Sequence, residues 1–453
     1  MIDNFNQEIL TDLKELLQIK SLLDKAEKDA PFGKELRTTL DWFLNKAKSY
    51  GLDCGDMEGY CGYCEYGNSS NMIGILCHLD TVPAGGDWKF EPYDLTVKDD
   101  TLYGRGIVDN KGPAVVILHI LKALKENNVK LNHRIRLIVG LNEETGSECL
   151  KHYLKHGEIP KFSIVPDADF PCVNSEKGIL HLNLKIPVTK EFKNTVKSIG
   201  FGTRANVVPD KAAVVFKDGT DKEFKGVAGH AMNPNDADNA AHKLFKELSK
   251  DFDECKTIYD LLCSHDAKNN LELDLKDKQS GELTLNLAVG KFDGNDIDLT
   301  LDFRLPLCAN KDTVIKKLKD KLTDNIKTLH YQPNLYIDID TPLVQTLLKI
   351  YKASTGKNLS FKKCRLSPSP KMATRCLRQI DNCKFRCKDL IDISPIQTGG
   401  GTYARLLPNA IAFGPTFPNI KTNIHNTDEN ISLKNFKKWY NIYYEAILEL
   451  DKL

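Results

Sequence analysis

Short apolar runs in this chain repeatedly give way to an acid or a histidine, and that recurrence limits the fold more than any other feature. Ile73-Gly74-Ile75-Leu76-Cys77 leads into His78, Asp80 and Pro83. Residues 134–141 end in Asn142-Glu143-Glu144, and Phe162-Ser163-Ile164-Val165 ends in Pro166-Asp167. Residues 410–414 read as a last strand, and the loop beyond it carries His425. Apolar runs of this length, bounded by turn residues, are strands. A helical stretch follows the first of them: 113–127 places Val116, Ile117, Ile120, Leu121 and Leu124 on one stripe. Strand and helix in alternation predict an open α/β sheet with its ligands at the carboxyl ends of the strands.

Flanking stretches add packing elements. Apolar residues at helical spacing cover 4–26 and 35–50, with Gly51 closing the second. From Gly178 the texture changes to strict alternation, with Leu180, Leu182, Leu184 and Ile186 between His181, Asn183 and Lys185. Similar alternation at 212–216, 283–287 and 298–303 predicts half-exposed antiparallel strands, and helices are predicted over 238–250 and 311–326. Tyr336-Ile337-Asp338-Ile339-Asp340 is expected to close this second unit, and a helix over 343–354 to begin the return. At 453 residues, two or three domains are expected. The expected division is a discontinuous metal-binding domain over 1–176 and 341–453 and an α+β domain over 177–340.

Several function classes are disfavoured at once. A net charge of +1 gives no global field for nucleic acid or an anionic membrane. No apolar run approaches the roughly 18 residues of a spanning helix. The first residues are polar and acidic, unlike a secretory leader. The expectation is therefore a cytoplasmic chain whose 13 cysteines are reduced thiols. Cys61-Gly62-Tyr63-Cys64 has the spelling of a redox pair, but it precedes an alternating stretch and reads as two thiols on a strand. Residues 362–388 hold nine Lys or Arg, one acid and four cysteines. They read as a surface insertion, with a nucleic-acid patch or a metal knuckle as alternatives.

The acids carry the chemistry. Gly104 and Gly106 do not complete a dinucleotide fingerprint, because Asp109 would repel a pyrophosphate. An aspartate at a loop-to-helix junction suits a metal. Glu143 and Glu144 follow a strand at a turn, so their side chains diverge, one toward metal and one free to take a proton from water. His78 and Asp80 share a face of the extended chain. His78, Asp109, Glu144, Asp167 and His425 make five donors, too many for one catalytic zinc with its usual three protein ligands. Two divalent ions sharing Asp109, roughly 3.5–4 Å apart, would activate a bridging water, with Glu143 accepting its proton. The reaction so implied is amide hydrolysis. Zinc leads among the metals, with manganese or cobalt as alternatives.

His78-Leu79-Asp80, Gly104-Arg105-Gly106 with Asp109-Asn110-Lys111-Gly112-Pro113, Asn142-Glu143-Glu144 with Gly146-Ser147, and Pro166-Asp167-Ala168 together resemble the co-catalytic metallopeptidase family of aminoacylases, carnosinases and dipeptidases. The resemblance is nearest to PepV-type bacterial dipeptidases, through Gly399-Gly400-Gly401-Thr402-Tyr403-Ala404-Arg405 and Pro31-Phe32-Gly33. It implies an α/β catalytic domain, a central mixed sheet sandwiched by helices, with an inserted α+β lid. It implies His78 and Asp167 on one ion, Glu144 and His425 on the other, Asp109 bridging, Asp80 orienting His78, and Glu143 as general base. The bond between Asp109 and Asn110 would be cis. In the lid, His230 would stabilise the oxyanion, while Asn206 and Arg304, with Gly400, Gly401 and Thr402 from the glycine loop, would bind substrate. The substrate would be a small unblocked peptide and the enzyme a monomer, with a homodimer as the alternative. An N-acyl-amino-acid deacylase and a catalytically silent metal- or nucleic-acid-binding protein are the competing readings.

Overall fold

A computed structural model describes residues 2–292, 294–355 and 394–453. The stretch 362–388, with its cysteines and the readings attached to it, lies outside the described residues. The fold is α/β, with a large mixed sheet, helices packed on it, and an inserted antiparallel unit.

Met72–His78 sits inside the large sheet, parallel to Arg134–Gly140 on one side and to Phe162–Val165 on the other. Ala410–Ala412 extends the parallel set beside Phe162–Val165. Every residue of Met72–His78 is buried, as a strand covered on both faces requires. Four parallel strands therefore end on one edge of the sheet; His78 is the last residue of the first, and the loops after the other three carry Glu143 and Glu144, Asp167, and His425. The hairpin of Asp53–Met57 and Cys61–Tyr66 adds antiparallel strands beyond Arg134–Gly140. Cys61 and Cys64 lie in it as buried free thiols, pushed up by desolvation and so unreactive.

Lys111–Glu126 packs against Ile2–Leu17, Leu433–Leu450 and the strands beneath. Glycine is required at 112, because a Cβ there would collide with the carbonyl oxygen of Ile107. The first helix stops at Leu17, short of the expected 26. Buried Lys111 holds the chain at this point: its Nζ donates to the carbonyl of Leu16 in the last turn and to that of Ile19 just beyond it, at 3.0 and 2.7 Å.

The inserted unit has seven antiparallel strands and its own hydrophobic core, separate from that of the large sheet. Gly178–Pro187 lies between Asp296–Leu305 and Ile326–Gln332. Leu180, Leu182, Leu184 and Ile186 face the core, while Ile179 and His181 face the other way. Two expectations fail here. The helix predicted to Ile326 ends at Lys321, and Ile326–Gln332 is instead an edge strand with no fully buried residue. Leu335–Tyr336 does not close this unit but pairs with Val173–Glu176 in the large sheet. No helix among the described residues is long and apolar enough to cross a membrane.

Candidate active site

His78 closes its strand, and its Nδ1–H donates to the Asp80 carbonyl at 2.9 Å. That bond leaves Nε2 facing the acids, 2.8 Å from Asp109 Oδ1 and 3.6 Å from Asp167 Oδ1. The other oxygen of Asp109 lies 2.8 Å from His425 Nε2, which is also 3.0 Å from Glu144 Oε1. The peptide between Asp109 and Asn110 is cis. The Asp80 carboxylate does more than approach His78 Nδ1 at 3.3 Å. It accepts the backbone N–H groups of Glu143 and Glu144, each at 3.1 Å, and so fixes the turn that separates the two glutamates. Donor atoms of His78, Glu143 and Asp167 lie within 4.8 Å of one another, as do those of His78, Asp109 and Glu144.

This crowding is electrostatically unbalanced. Burial, with Asp109 nearby, pushes Glu144 up to about 7. Burial also carries Asp167 to about 6 and Glu143 well above the carboxylate range. Burial opposes charge on the two imidazoles, yet the acids win: bonds to Asp109 and Glu144 raise His425 to about 11, and Asp167 with Asp109 raises His78. The cluster therefore draws positive charge to the imidazole nitrogens, the atoms that would otherwise face cations. Mixed imidazole and carboxylate donors around a carboxylate whose two oxygens face separate imidazoles fit a pair of divalent ions.

A second layer holds the ligands. Glu429, fully buried, accepts from the backbone N–H of Gly106, Val108 and Asp109 and from Arg105 Nη1, at 2.8–3.2 Å. Arg105 Nη2 reaches the carbonyls of Ala84 and Asn426, at 3.2 and 3.1 Å. One ion pair thus ties together the loops that follow His78, precede Asp109 and follow His425. Sequence reasoning missed Glu429. Its only signal is a carboxylate four residues beyond His425.

The acids form the floor of a cavity of about 290 Å³ whose opposite wall comes from the inserted unit. Asn206, His230 and Arg304 line it, as do Gly400 and Gly401. His230 Nδ1 accepts the N–H of Met232 at 3.1 Å, so Nε2 is the N–H that remains free. Desolvation and the Arg304 cation push this imidazole down to about 4, keeping it neutral. Arg304 is clamped by Asp302 through Nε and Nη2, at 2.7 and 2.8 Å, and donates Nη1 to the Gly399 carbonyl at 3.0 Å. Thr402 does not line the cavity. It turns inward to buried Glu176, which also accepts Arg405 Nε at 3.0 Å. The Arg405 guanidinium lies flat on residue 401, where only glycine leaves room for it.

Residues 74–449 match the family model described as Peptidase family M20/M25/M40. The chain belongs to this peptidase family. Within it, the chain is 30% identical to "Putative dipeptidase YtjP" of Bacillus subtilis, over 98% of each sequence. Human carnosine dipeptidase 1 shares the fold over 100% of this chain and 98% of its own, with a TM-score of 0.59 at 14% identity. The YXEP protein of Bacillus subtilis, described as a dinuclear metal binding peptidase, covers 99% of both chains with a TM-score of 0.53 at 9% identity. This M20 peptidase is accordingly a metal-dependent hydrolase acting on peptide bonds.

Proposed function

We propose that this M20 peptidase is a dipeptidase that cleaves short unblocked peptides with two divalent ions. The observation that carries the proposal is Asp109, whose two oxygens each lie 2.8 Å from a different imidazole. His78 and Asp167 would hold one ion, Glu144 and His425 the other, and Asp109 both. Zinc is the first candidate for this donor set, ahead of manganese and cobalt. Bound there, the ions would supply Lewis acidity and an acidified water.

The remaining chemistry belongs to the chain. Glu143 has no side-chain hydrogen bond among the described residues, which leaves its carboxylate free to take a proton from water and deliver it to the leaving amine. His230 presents its free Nε2–H to the developing oxyanion, and Asn206 stands beside it as a second polar contact. Arg304 would receive the peptide's terminal carboxylate through its remaining N–H groups. The acid-rich floor favours a free α-ammonium over an acylated nitrogen. His230 reaches the cavity from the same chain, which supports a monomer. Nine described cysteines are free thiols, which supports a reducing cytoplasmic setting.

The test is metal analysis together with hydrolysis of alanyl-alanine beside N-acetylated amino acids. Cleavage of the free dipeptide with a metal-to-protein ratio near two is expected. Preference for the acetylated substrates would replace the proposal with a deacylase, and failure to cleave either would remove it.

A further inference from the structure

The inner face of the inserted sheet carries two rows of side chains set by strand register. In one, Ile179 of Gly178–Pro187 lies opposite Arg304 on one side and Gln332 on the other. In the next, His181 lies opposite Asp302 and His330. Ile179, His181, Arg304, His330 and Gln332 all line the cavity. Arg304 and His181 are anchored to one carboxylate: Asp302 takes Arg304 through two bonds and His181 Nε2 at 3.0 Å. The His330 and His181 rings are 5.4 Å apart. Among the described residues, the side chains of His330 and Gln332 have no hydrogen-bond partner. They are polar groups facing the cavity with donors and acceptors to spare.

We propose that His330 and Gln332, flanked by Ile179 and His181, form the pocket for the side chain of the substrate's C-terminal residue, and that this pocket takes a carboxylate or carboxamide side chain. The inference rests on the dipeptidase reading, because it places the terminal carboxylate on Arg304. A residue held there by its carboxylate sets its side chain against the neighbouring positions of the same rows. The wall offers a basic side chain no free carboxylate, because Asp302 is fully buried and engaged. The field is also positive: besides desolvation, His181, Lys151, Arg405 and Arg304 all push His330 down, to about 4. An oxygen-bearing side chain meets the imidazole and amide N–H groups and is drawn by that field. An ammonium is repelled by it.

The experiment compares kcat/KM of the metal-loaded enzyme for Ala-Glu, Ala-Gln, Ala-Leu and Ala-Lys, each relative to Ala-Ala. Ala-Glu and Ala-Gln are expected to exceed Ala-Lys at least tenfold. In the double variant His330→Leu with Gln332→Leu, the ratio of Ala-Glu to Ala-Ala should fall about tenfold. Gln332→Glu should raise the ratio of Ala-Lys to Ala-Glu, a gain that misfolding does not produce. Ala-Lys cleaved as well as Ala-Glu by the native enzyme, or ratios unmoved by these variants, would overturn the pocket while leaving the dipeptidase reading intact. Ala-Ala left uncleaved would overturn both.

Discussion

Asp167 on the floor of the cavity and Asp302 in its opposite wall are the same chemical group, shielded from water, yet their surroundings drive them in opposite directions. Burial raises both. At Asp302 the Arg304 cation and the bond from His181 outweigh it and hold the carboxylate below its ordinary value. At Asp167 burial and the neighbouring Asp109 outweigh the pull of His78, and the group moves up to about 6. Around Asp302 the charges form a completed circuit in which one anion is matched to one guanidinium and one imidazole. The floor gathers Asp80, Asp109, Glu143, Glu144 and Asp167 around two imidazoles. A region satisfied by its own side chains can position a ligand without help, whereas a surplus of buried carboxylate calls for cations.

The sharpest way to break this contrast is to withdraw metal. Chelation should abolish peptide hydrolysis and lower the melting temperature, because an ion that binds only the folded chain stabilises it by mass action. Thermal unfolding and turnover, measured before and after dialysis against a chelator, check both. An unchanged melting temperature would mean that the floor tolerates its own charge. Next in size is Glu143→Gln. Loss of a positioned base should lower kcat by about 10²–10⁴-fold, while metal content by elemental analysis stays at its native level. Metal lost along with turnover would make Glu143 a ligand rather than a base.

Most of the floor is legible in the sequence, and most of its support is not. A strand that ends in an acid shows its period and its terminus in one dimension, so residue order alone puts His78, Glu144 and Asp167 at strand ends. Glu429 is different, because its partners are the backbone N–H groups of Gly106, Val108 and Asp109, and backbone donors leave no pattern in residue types. The wall is hidden for another reason. His181, His330 and Gln332 come together only through register, which is fixed when strands pair. The strand that holds two of them goes unseen in the sequence because Ile326–Gln332 buries too little to alternate clearly. Thr402 shows the limit of motif reading: the glycine loop is where it is expected, but this side chain serves Glu176.

Arg105 sharpens the comparison from the side of the floor. Lysine at 105 keeps the charge but cannot span Glu429 and the carbonyls of Ala84 and Asn426 together. The Asp109 and His425 loops would lose their common tie. Changes to groups that orient metal ligands typically weaken metal affinity about 10–100-fold. Competition with a chromogenic chelator should read that loss in Arg105→Lys, and excess metal should restore much of the turnover. A native affinity with only a lowered melting temperature would mark Arg105 as structural alone.

The smallest effect is expected from the wall itself. Asp302→Asn keeps the shape but exchanges one accepting oxygen for an N–H₂ group. Arg304 and His181 together ask for three bonds to oxygen, and an amide meets them with one oxygen and a donor pointed at a donor. Arg304 should stay on the Gly399 carbonyl but lose its fixed plane. Charge-assisted bonds of this kind contribute roughly 1.5–3 kcal/mol each, though the guanidinium keeps part of its contacts, so a rise in KM of about tenfold is the expected outcome. Because the wall needs no cation, metal affinity should not move, and kcat should change less than KM. Parallel measurement of KM, kcat and metal content on this one variant separates the two regions. A fall in metal content would mean that wall and floor are electrostatically one site, and the contrast between Asp167 and Asp302 would then have to be read as two ends of a single charge distribution.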